Sequence, residues 1–236
     1  KVTPLANNNI PKRIAFTVQY QESDYKFIQR LAKLHGEYFY YNGENLIFGT
    51  ETQPRIKISE GVDLDKFHLK MKLKAQLFSH YTYDSESGTG IEKHSENAQS
   101  NDLQNTENIM QAVAVIKSEK LFAEKSKMYF NHTGNDAESD LTSSVIREKE
   151  RRQRLVKVKG ESRNSDLRIG GMIEVSDIND HAMETYRIIE VKHIHNPGEY
   201  YNEFTAIPDM FNAPYQDNNA VPKCEEQSAR VVDNND

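Results

Sequence analysis

The stretch 66-KFHLKMKLKAQL-77 places apolar and polar side chains at strictly alternating positions. Apolar residues fall on the odd positions from Phe67 to Leu77, and lysine, histidine or glutamine falls on the even ones. Side chains of a β-strand point alternately to the two faces of its sheet, so this period of two predicts a long strand with one buried face. The opposite, wet face would then carry a row of four lysines: Lys66, Lys70, Lys72 and Lys74.

The segment before this strand predicts a strand, a helix and a hairpin, in that order. Arg13–Gln19 alternates apolar and polar residues, which is typical of a half-buried strand. Ser23 can cap a helix with apolar residues at helical spacing, and Gly36 can end that helix. Asn42-Gly43 then separates two aromatic or β-branched runs, which is a strong signal for a tight hairpin.

The segment after it alternates between polar loops and short apolar runs. Residues 84–108 are almost free of apolar side chains and predict an exposed loop. The apolar run Ile109–Ile116 fits a strand or a helix, whereas Leu141–Arg154 predicts a helix. Four further strands are expected after this helix: Leu155–Lys159, Met172–Val175, Tyr186–His195 and Phe204–Ile207.

These patterns together indicate an α+β fold that is mainly β, with two or three helices. No apolar run approaches the roughly 20 residues needed to span a bilayer, and the sequence does not open on a signal-peptide pattern. The net charge of −6 argues against binding to bulk nucleic acid or anionic membranes. Cys224 is the single cysteine, which excludes an intrachain disulfide and any multi-cysteine metal site.

The sequence predicts no catalytic residue and no cofactor, because it lacks the motifs of hydrolases, metalloproteases and nucleotide-binding enzymes. Cys224 stands beside two glutamates that disfavour a nucleophilic thiolate, so we interpret it as an incidental thiol. The pair Glu22 and Asp24 suits a helix N-terminus, and the pair Asp63 and Asp65 is expected to be solvated. A hydrolase would instead need one of these acid pairs inside a cleft.

Histidine offers no metal site that the sequence can complete. His193 and His195 lie two residues apart on a predicted strand and so share one face, but zinc needs about three or four ligands and no third ligand stands out. His132 and His181 fall in polar segments and add no ligand. The Asn131-His132-Thr133 glycosylation pattern is short enough to arise by chance.

Two basic segments carry both a functional and an ordinary interpretation. The lysine row from Lys66 to Lys74 can face an acidic partner or another subunit, or it can be a wet face that discourages edge pairing. Arg147–Arg154 holds five basic and two acidic residues, which is the composition of a solvated helix face. Nucleic-acid binding would need a wider basic field than this acidic chain offers.

The order of several motifs resembles the VgrG family of type VI secretion spike proteins, which are related to contractile-phage tail hub proteins. The resemblance begins at 19-QYQESDYKFIQRL-31 and continues through 36-GEYFYY-41. Later segments match the family in the same order: 81-YTYD-84, 158-VKGES-162, 167-LRIGG-171, 200-YYNEFTAIP-208 and 227-QSARVVDNND-236.

The resemblance implies a phage-tail-hub-like barrel domain with three parts. Residues 1–50 would be the strand–helix–hairpin part of the hub region, with the family's upstream first barrel missing. Residues 51–213 would form the second hub β-barrel, with the polar insertion loop 84–108 and the helix near 141–154. Residues 214–236 would be a linker and the truncated start of an oligonucleotide/oligosaccharide-binding barrel.

The resemblance also implies mechanical rather than chemical work. Such a hub is a homotrimer that sits on a hexameric tube protein and joins it to a membrane-piercing needle, with an effector or adaptor as a further partner. It is assembled in the bacterial cytoplasm and becomes extracellular on firing, without a stable membrane insertion of this segment. The tyrosines in Tyr38–Tyr41 and Tyr200–Tyr201 are then expected mainly in the core. A carbohydrate-binding β-module that uses exposed tyrosines is the alternative.

Overall fold

A computed structural model describes residues 2–4, 17–35, 37–49, 55–84, 87–98, 108–130, 137–179, 181–211, 220, 222 and 225–226. Three α-helices lie in these segments: α1 (Asp24–His35), α2 (Ile109–Leu121) and α3 (Ala137–Gln153). The strands are β1 (Val2–Pro4), β2 (Phe39–Tyr41), β3 (Leu46–Phe48), β4 (Arg55–Ser59), β5 (Leu64–Met71), β6 (Phe78–Asp84), β7 (Thr89–His94), β8 (Ser126–Tyr129), β9 (Val156–Ser162), β10 (Met172–Ser176), β11 (Ala182–Asn196) and β12 (Glu199–Pro208).

The largest unit is a six-stranded sheet with the order β4-β10-β11-β12-β9-β5. Its strands pair antiparallel except for β4 and β10, which run parallel. The two edge strands β4 and β5 follow each other in the chain, and a single bridge between Glu60 and Leu64 joins them. The sheet must therefore curl until its edges meet at this corner, and the described strands do not close it further.

A second unit interrupts the pair β5–β9 of this sheet. Met71 and Val156 are the last partners in the antiparallel register of that pair. Between them the chain forms α2, α3 and a three-stranded sheet with the order β7-β6-β8. This second sheet packs against α3, so β5 and β9 behave as the two arms of a hairpin whose tip has been replaced by a separate unit.

A third, smaller sheet has the order β1-β3-β2 and stands next to α1. Its β2–β3 hairpin turns at Asn42, whose side-chain oxygen accepts the backbone N–H groups of Glu44 and Asn45 at 2.9 and 2.8 Å. An Asn side chain stabilises such a turn because it replaces a backbone acceptor. The hairpin predicted at Asn42-Gly43 is therefore confirmed.

The main hydrophobic core lies on the concave side of the large sheet. Alternate residues of β9 show the period of two, since Val156 and Val158 are buried while Lys159 is exposed. Helix α2 contributes Ala114 to the same core. The other buried members come from several strands and the segments beside them: Ile58, Leu64, Leu155, Leu167, Ile173, Val175, Tyr186, Ile188, Phe204 and Ala206.

Several sequence predictions about elements are confirmed. The α+β, mainly β fold with three helices agrees with the expected class, and the four strands after residue 154 are β9, β10, β11 and β12. The predicted helix at Leu141–Arg154 is α3, which begins four residues earlier, and the ambiguous run at Ile109–Ile116 is helical. Of the predicted strand Arg13–Gln19, residues 13–16 lie outside the described residues and Thr17–Gln19 are not in a strand.

The prediction of one long strand through Leu77 is wrong beyond Met71. There the chain leaves the large sheet and crosses to β6, and the alternation reverses: Leu73 is 41% exposed whereas Gln76 is only 5% exposed. Gln76 is buried because its side-chain amide donates to the carbonyl oxygens of Lys74 and Arg152 at 2.9 and 3.1 Å. Its hydrogen bonds, one of them to Arg152 in α3, thus bury Gln76 at a position where the hydrophobic pattern predicted exposure.

The prediction that residues 84–108 form one exposed loop is also wrong in part. Thr89–His94 is the strand β7, which pairs antiparallel with β6, and a 3-10 turn follows at Ser95–Asn97. The strand β7 lies at an edge of the β7-β6-β8 sheet, and none of its residues is fully buried. Its sequence therefore lacks the alternation of apolar residues by which a core strand is predicted. Residues 85–86 and 99–107 lie outside the described residues.

Candidate interaction surface

The convex face of the large sheet carries Lys66 and Lys70 of the predicted lysine row together with charged residues from three other strands. Lys66 lies opposite Glu161, and its Nζ is 2.7 Å from the Oε2 of that glutamate. This hydrogen bond raises the pKa of the lysine side chain. Further along the same strand pair, Lys70 is the cross-strand partner of Lys157.

A shallow groove of about 390 Å³ follows this face. Its charged lining is balanced, because three glutamates face three lysines and His68: Glu161, Glu190, Glu203, Lys66, Lys159 and Lys192. Positive charge is therefore concentrated at the Lys70 and Lys157 end, where like charges oppose each other across the ladder. We call the convex surface of β5, β9, β11 and β12 the charged face.

The lysine row of the sequence is thus divided by the fold. Lys66 and Lys70 lie in β5 on the charged face, but Lys72 and Lys74 follow the end of the strand. The backbone N–H of Lys72 donates to the carbonyl of Leu155 at 2.8 Å, and that of Lys74 donates to the hydroxyl of Ser118 at 3.2 Å. The prediction of one continuous lysine face holds only for the part inside the strand.

The two carboxylate pairs have structural partners. Glu22 forms a two-pronged ion pair with Arg30, whose Nη2 lies 2.6 Å from Oε1, and this hydrogen bond lowers the pKa of Glu22. Asp24 accepts a hydrogen bond from the amide of Gln19 at 2.9 Å. This geometry ties the residues before α1 to the helix, so the role of Glu22 extends beyond a charge at the helix N-terminus.

The second pair supports the corner where the edges of the large sheet meet. Asp63 accepts the backbone N–H of Ser59 at 2.8 Å and the side-chain amide of Asn164 at 3.1 Å. Asp65 forms an ion pair with Arg163, with 2.8 Å between Nη2 and Oδ1. Both carboxylates therefore hold the turn between β4 and β5 against the end of β9.

The histidine pair lies on the exposed outer half of the β11–β12 hairpin. His193 and His195 are both exposed, and Nδ1 of His193 lies 2.7 Å from the hydroxyl of Tyr200. His181 is also exposed and contacts Asp177. Within the described segments no three histidine, cysteine or carboxylate side chains are arranged to hold a metal ion. His132, the Asn131 sequon and Cys224 lie outside them.

One histidine that the sequence did not single out is buried. His80 packs between Phe78 and Phe130, and its Nδ1 lies 2.9 Å from the hydroxyl of Ser144 on α3. Burial lowers the pKa of this imidazole, so the folded protein favours its neutral form. The burial of His80 could have been predicted only from alternating apolar residues along β6. Histidine is itself polar, so this inward position did not stand out in the sequence.

The basic segment Arg147–Arg154 is not the solvated helix face that its composition indicated. Arg152 places its guanidinium carbon 4.4 Å from the centre of the Phe78 ring and donates to the carbonyl of Ala75 at 3.0 Å. Arg154 stacks over the ring of Phe211 at 5.0 Å. The long side chains of this segment pack against the rest of the protein, which leaves little of the segment available for an acidic ligand.

Tyrosines are divided between packing and exposure. Tyr38 and Tyr40 are half-buried, and the hydroxyl of Tyr40 approaches the backbone at Gly170, whereas Tyr41 is exposed. Sequence reasoning missed a second group of tyrosines, which lies on the outer face of the β7-β6-β8 sheet. There the rings of Tyr81 and Tyr129 are 5.4 Å apart at a steep angle, and exposed Tyr83 lies on the same face.

These features describe a strand-rich protein whose charged side chains take part in ion pairs and packing. No described helix is long and apolar enough to cross a membrane. The profile of the phage tail baseplate hub (GPD) family matches residues 4–198, which is most of the chain. The chain therefore belongs to the phage tail baseplate hub family.

Solved structures agree on the fold. The chain resembles the 43 kDa tail protein of prophage MuSo2 from Shewanella oneidensis with a TM-score of 0.54 and 11% identity over 84% of this chain. It resembles the tail protein of Neisseria meningitidis MC58 with a TM-score of 0.52 and 7% identity over 82% of this chain. The aligned region spans 57% of the length of each of these tail proteins. No curated protein matches the sequence significantly.

Proposed function

We propose that this chain is a non-enzymatic structural part of a trimeric hub that joins a tail tube to a membrane-piercing needle. The match of residues 4–198 to the baseplate hub family carries this proposal. The VgrG-like motifs quoted above favour a type VI secretion spike or a related contractile tail as the particle. Such a hub would be assembled in the cytoplasm and delivered outside the cell on firing.

Self-association as a homotrimer and binding to the hexameric tube protein are the two central expectations. Light scattering across a concentration series measures the first, with an expected mass near three times that of the 27.2 kDa chain. Co-sedimentation with assembled tubes of the same particle measures the second. A chain that stays monomeric at every concentration and also fails to sediment with tubes would contradict the proposal.

The charged face is the proposed contact with a neighbouring subunit or the tube. Like charges at Lys70 and Lys157 repel each other in the isolated chain, and an acidic partner surface would relieve this repulsion. Reversal of the charge in Lys70→Glu is expected to reduce spike assembly. Lys72→Glu is the matched control, because Lys72 lies beyond the end of β5. Unchanged assembly of the Lys70 variant would exclude the charged face as this contact.

A carbohydrate-binding module remains the second candidate, because the outer face of the β7-β6-β8 sheet presents Tyr81, Tyr83 and Tyr129. Exposed aromatic rings can stack on sugar rings, and the Lys127–Glu92 ion pair beside Tyr81 supplies polar contacts. This candidate predicts saturable binding on a glycan array that is lost in Tyr81→Ala. Absence of saturable binding on the array would leave the structural hub as the function.

A further inference from the structure

Helix α2 buries two polar side chains beside Ala114 and leaves its two isoleucines on the outer side. Gln111 and Ser118 are fully buried, and they accept the backbone N–H groups of Val156 and Lys74 at 3.3 and 3.2 Å. On the opposite side Ile109 is 68% exposed and Ile116 is 52% exposed. Ordinary surface helices show the reverse pattern, so the outer side of α2 has the character of an interface.

The outward residues follow the spacing of a coiled-coil seam. Ile109, Val113, Ile116 and Lys120 are separated by four, three and four residues, which places isoleucine at both d positions of a heptad and valine at the a position between them. We call these four residues the α2 seam. Isoleucine at d favours three- or four-stranded association over pairs, because β-branched side chains at this layer pack poorly between two parallel helices.

The flanks of the seam fit a parallel arrangement. Met110 and Ala112 flank its first half and extend the apolar strip, as the wider interface of a three-stranded bundle requires. Lys117 lies on one flank of the second half and Glu119 on the other. In the heptad set by Ile109 these two residues take an e and a g position, the positions that flank the seam of a coiled coil and commonly carry charge.

We propose that the α2 seam packs against the α2 seams of two further copies of this chain around a threefold axis. This inference rests on the proposed trimeric hub and identifies one contact that holds the copies together. The seam covers residues 109–120, about 17 Å of helix. It is shorter than the three or four heptads that sustain an independent coiled coil, so it acts within a larger interface.

Disulfide trapping tests the contact directly. In a Cys224→Ser background, Val113→Cys places one thiol in the central layer of the seam, and Val62→Cys places one at a site that is 70% exposed elsewhere. Residues of the same layer meet across a parallel bundle, so the Val113 variant is expected to form linked dimers at least tenfold faster than the Val62 variant at equal protein concentration. Equal rates for the two variants would overturn the proposal.

Light scattering separates this proposal from the trimeric hub itself. The variant Ile109→Lys/Ile116→Lys is expected to lose the threefold mass, whereas Ile178→Lys, at a position that is 76% exposed, is expected to retain it. A trimer that persists in the seam variant would refute the α2 contact and leave the trimeric hub intact. A dimeric mass for the unmodified chain would refute the threefold arrangement.

Discussion

The ring of Phe204 lies directly against the backbone of Gly160 on the neighbouring strand of the large sheet. A Cβ atom at residue 160 would stand 2.3 Å from the Cζ atom of Phe204 and 3.0 Å from the carbonyl oxygen of Lys66. Phe204 is 3% exposed and belongs to the main core. Glycine is thus required here by space, because the ring occupies the position of its missing side chain.

Gly160→Ala is therefore expected to lower the free energy of unfolding by about 1–3 kcal/mol, since the ring must move into a filled core. Urea denaturation measures this change. Gly90→Ala in β7 is the matched control, because nothing lies within 4 Å of its Cβ position, and a change within about 0.5 kcal/mol is expected there. Equal effects of the two substitutions would contradict the packing argument.

Buried His80 predicts a fall in stability under mild acid. Its pKa is lowered in the folded state, mainly by burial, with Glu148 opposing and Arg152 adding to the effect. The unfolded chain therefore binds the proton more readily, and stability falls as pH decreases below about 6.5. One proton contributes at most about 1.4 kcal/mol per pH unit.

Denaturation curves between pH 5.5 and pH 7.5 check this dependence, with His80→Gln compared with the unmodified chain. The variant is expected to be less stable at neutral pH but to show a flatter slope. His195→Gln, at an exposed position, should keep the original slope. A His80 variant with an unchanged slope would show that another group is responsible.

Arg152 and Arg151 share Glu148 as a partner but are expected to differ in importance. Arg152 is half-buried against Phe78, whereas Arg151 is exposed. Arg152→Ala should lower the free energy of unfolding by about 2 kcal/mol, because a shielded cation–π contact and a carbonyl hydrogen bond are lost. Arg151→Ala should cost less than about 1 kcal/mol.

Arg152→Lys gives a second reading of the same contact. Lysine retains the charge but lacks the planar fork that stacks on Phe78 while it donates to Ala75, so only part of the stability should return. Thermal unfolding of the unmodified chain and of the Arg152→Ala, Arg152→Lys and Arg151→Ala variants measures these differences. Full rescue by lysine would mean that charge alone matters at this position.

Charge reversal at Lys70 is expected to stabilise the isolated chain even though it impairs assembly. Lys70→Glu turns the repulsive pair with Lys157 into an attractive one, worth about 0.2–1 kcal/mol. The gain should shrink in 1 M salt, where the Debye length is about 3 Å. Lys72→Glu, beyond the end of β5, should change stability by less than about 0.5 kcal/mol. A destabilised Lys70 variant would contradict the register argument.

The sequence was most informative where hydrophobic burial alone determines an element. The strands β9–β12 and the hairpin at Asn42 were predicted because their patterns depend on local spacing and turn chemistry. The segment after Met71 was mispredicted because Ser118 binds the backbone N–H of Lys74 and the carbonyl of Arg152 binds the side-chain amide of Gln76, and both partners are far away in sequence. Local periodicity carries no information about such partners.

The surfaces were harder to predict than the fold. The lysines of β5 were found from their alternation, but the pairing of Lys66 with Glu161 and the opposition of Lys70 to Lys157 depend on strand order. The basic run of α3 suggested solvent exposure, because composition does not reveal that Phe78 and Phe211 would cover Arg152 and Arg154. The outward seam of α2 emerged only when the burial of Gln111 and Ser118 fixed the orientation of the helix.

The replacement of the β5–β9 hairpin tip by a separate unit has an evolutionary consequence. Met71 and Val156 are adjacent partners, so a segment of any length can join them with a loop-closure cost that grows only slowly with length. The inserted unit can therefore be lengthened, shortened or exchanged between relatives while the sheet around it keeps its register. A tail particle that must adapt to new partners could therefore vary the unit between Met71 and Val156 while the large sheet stays the same.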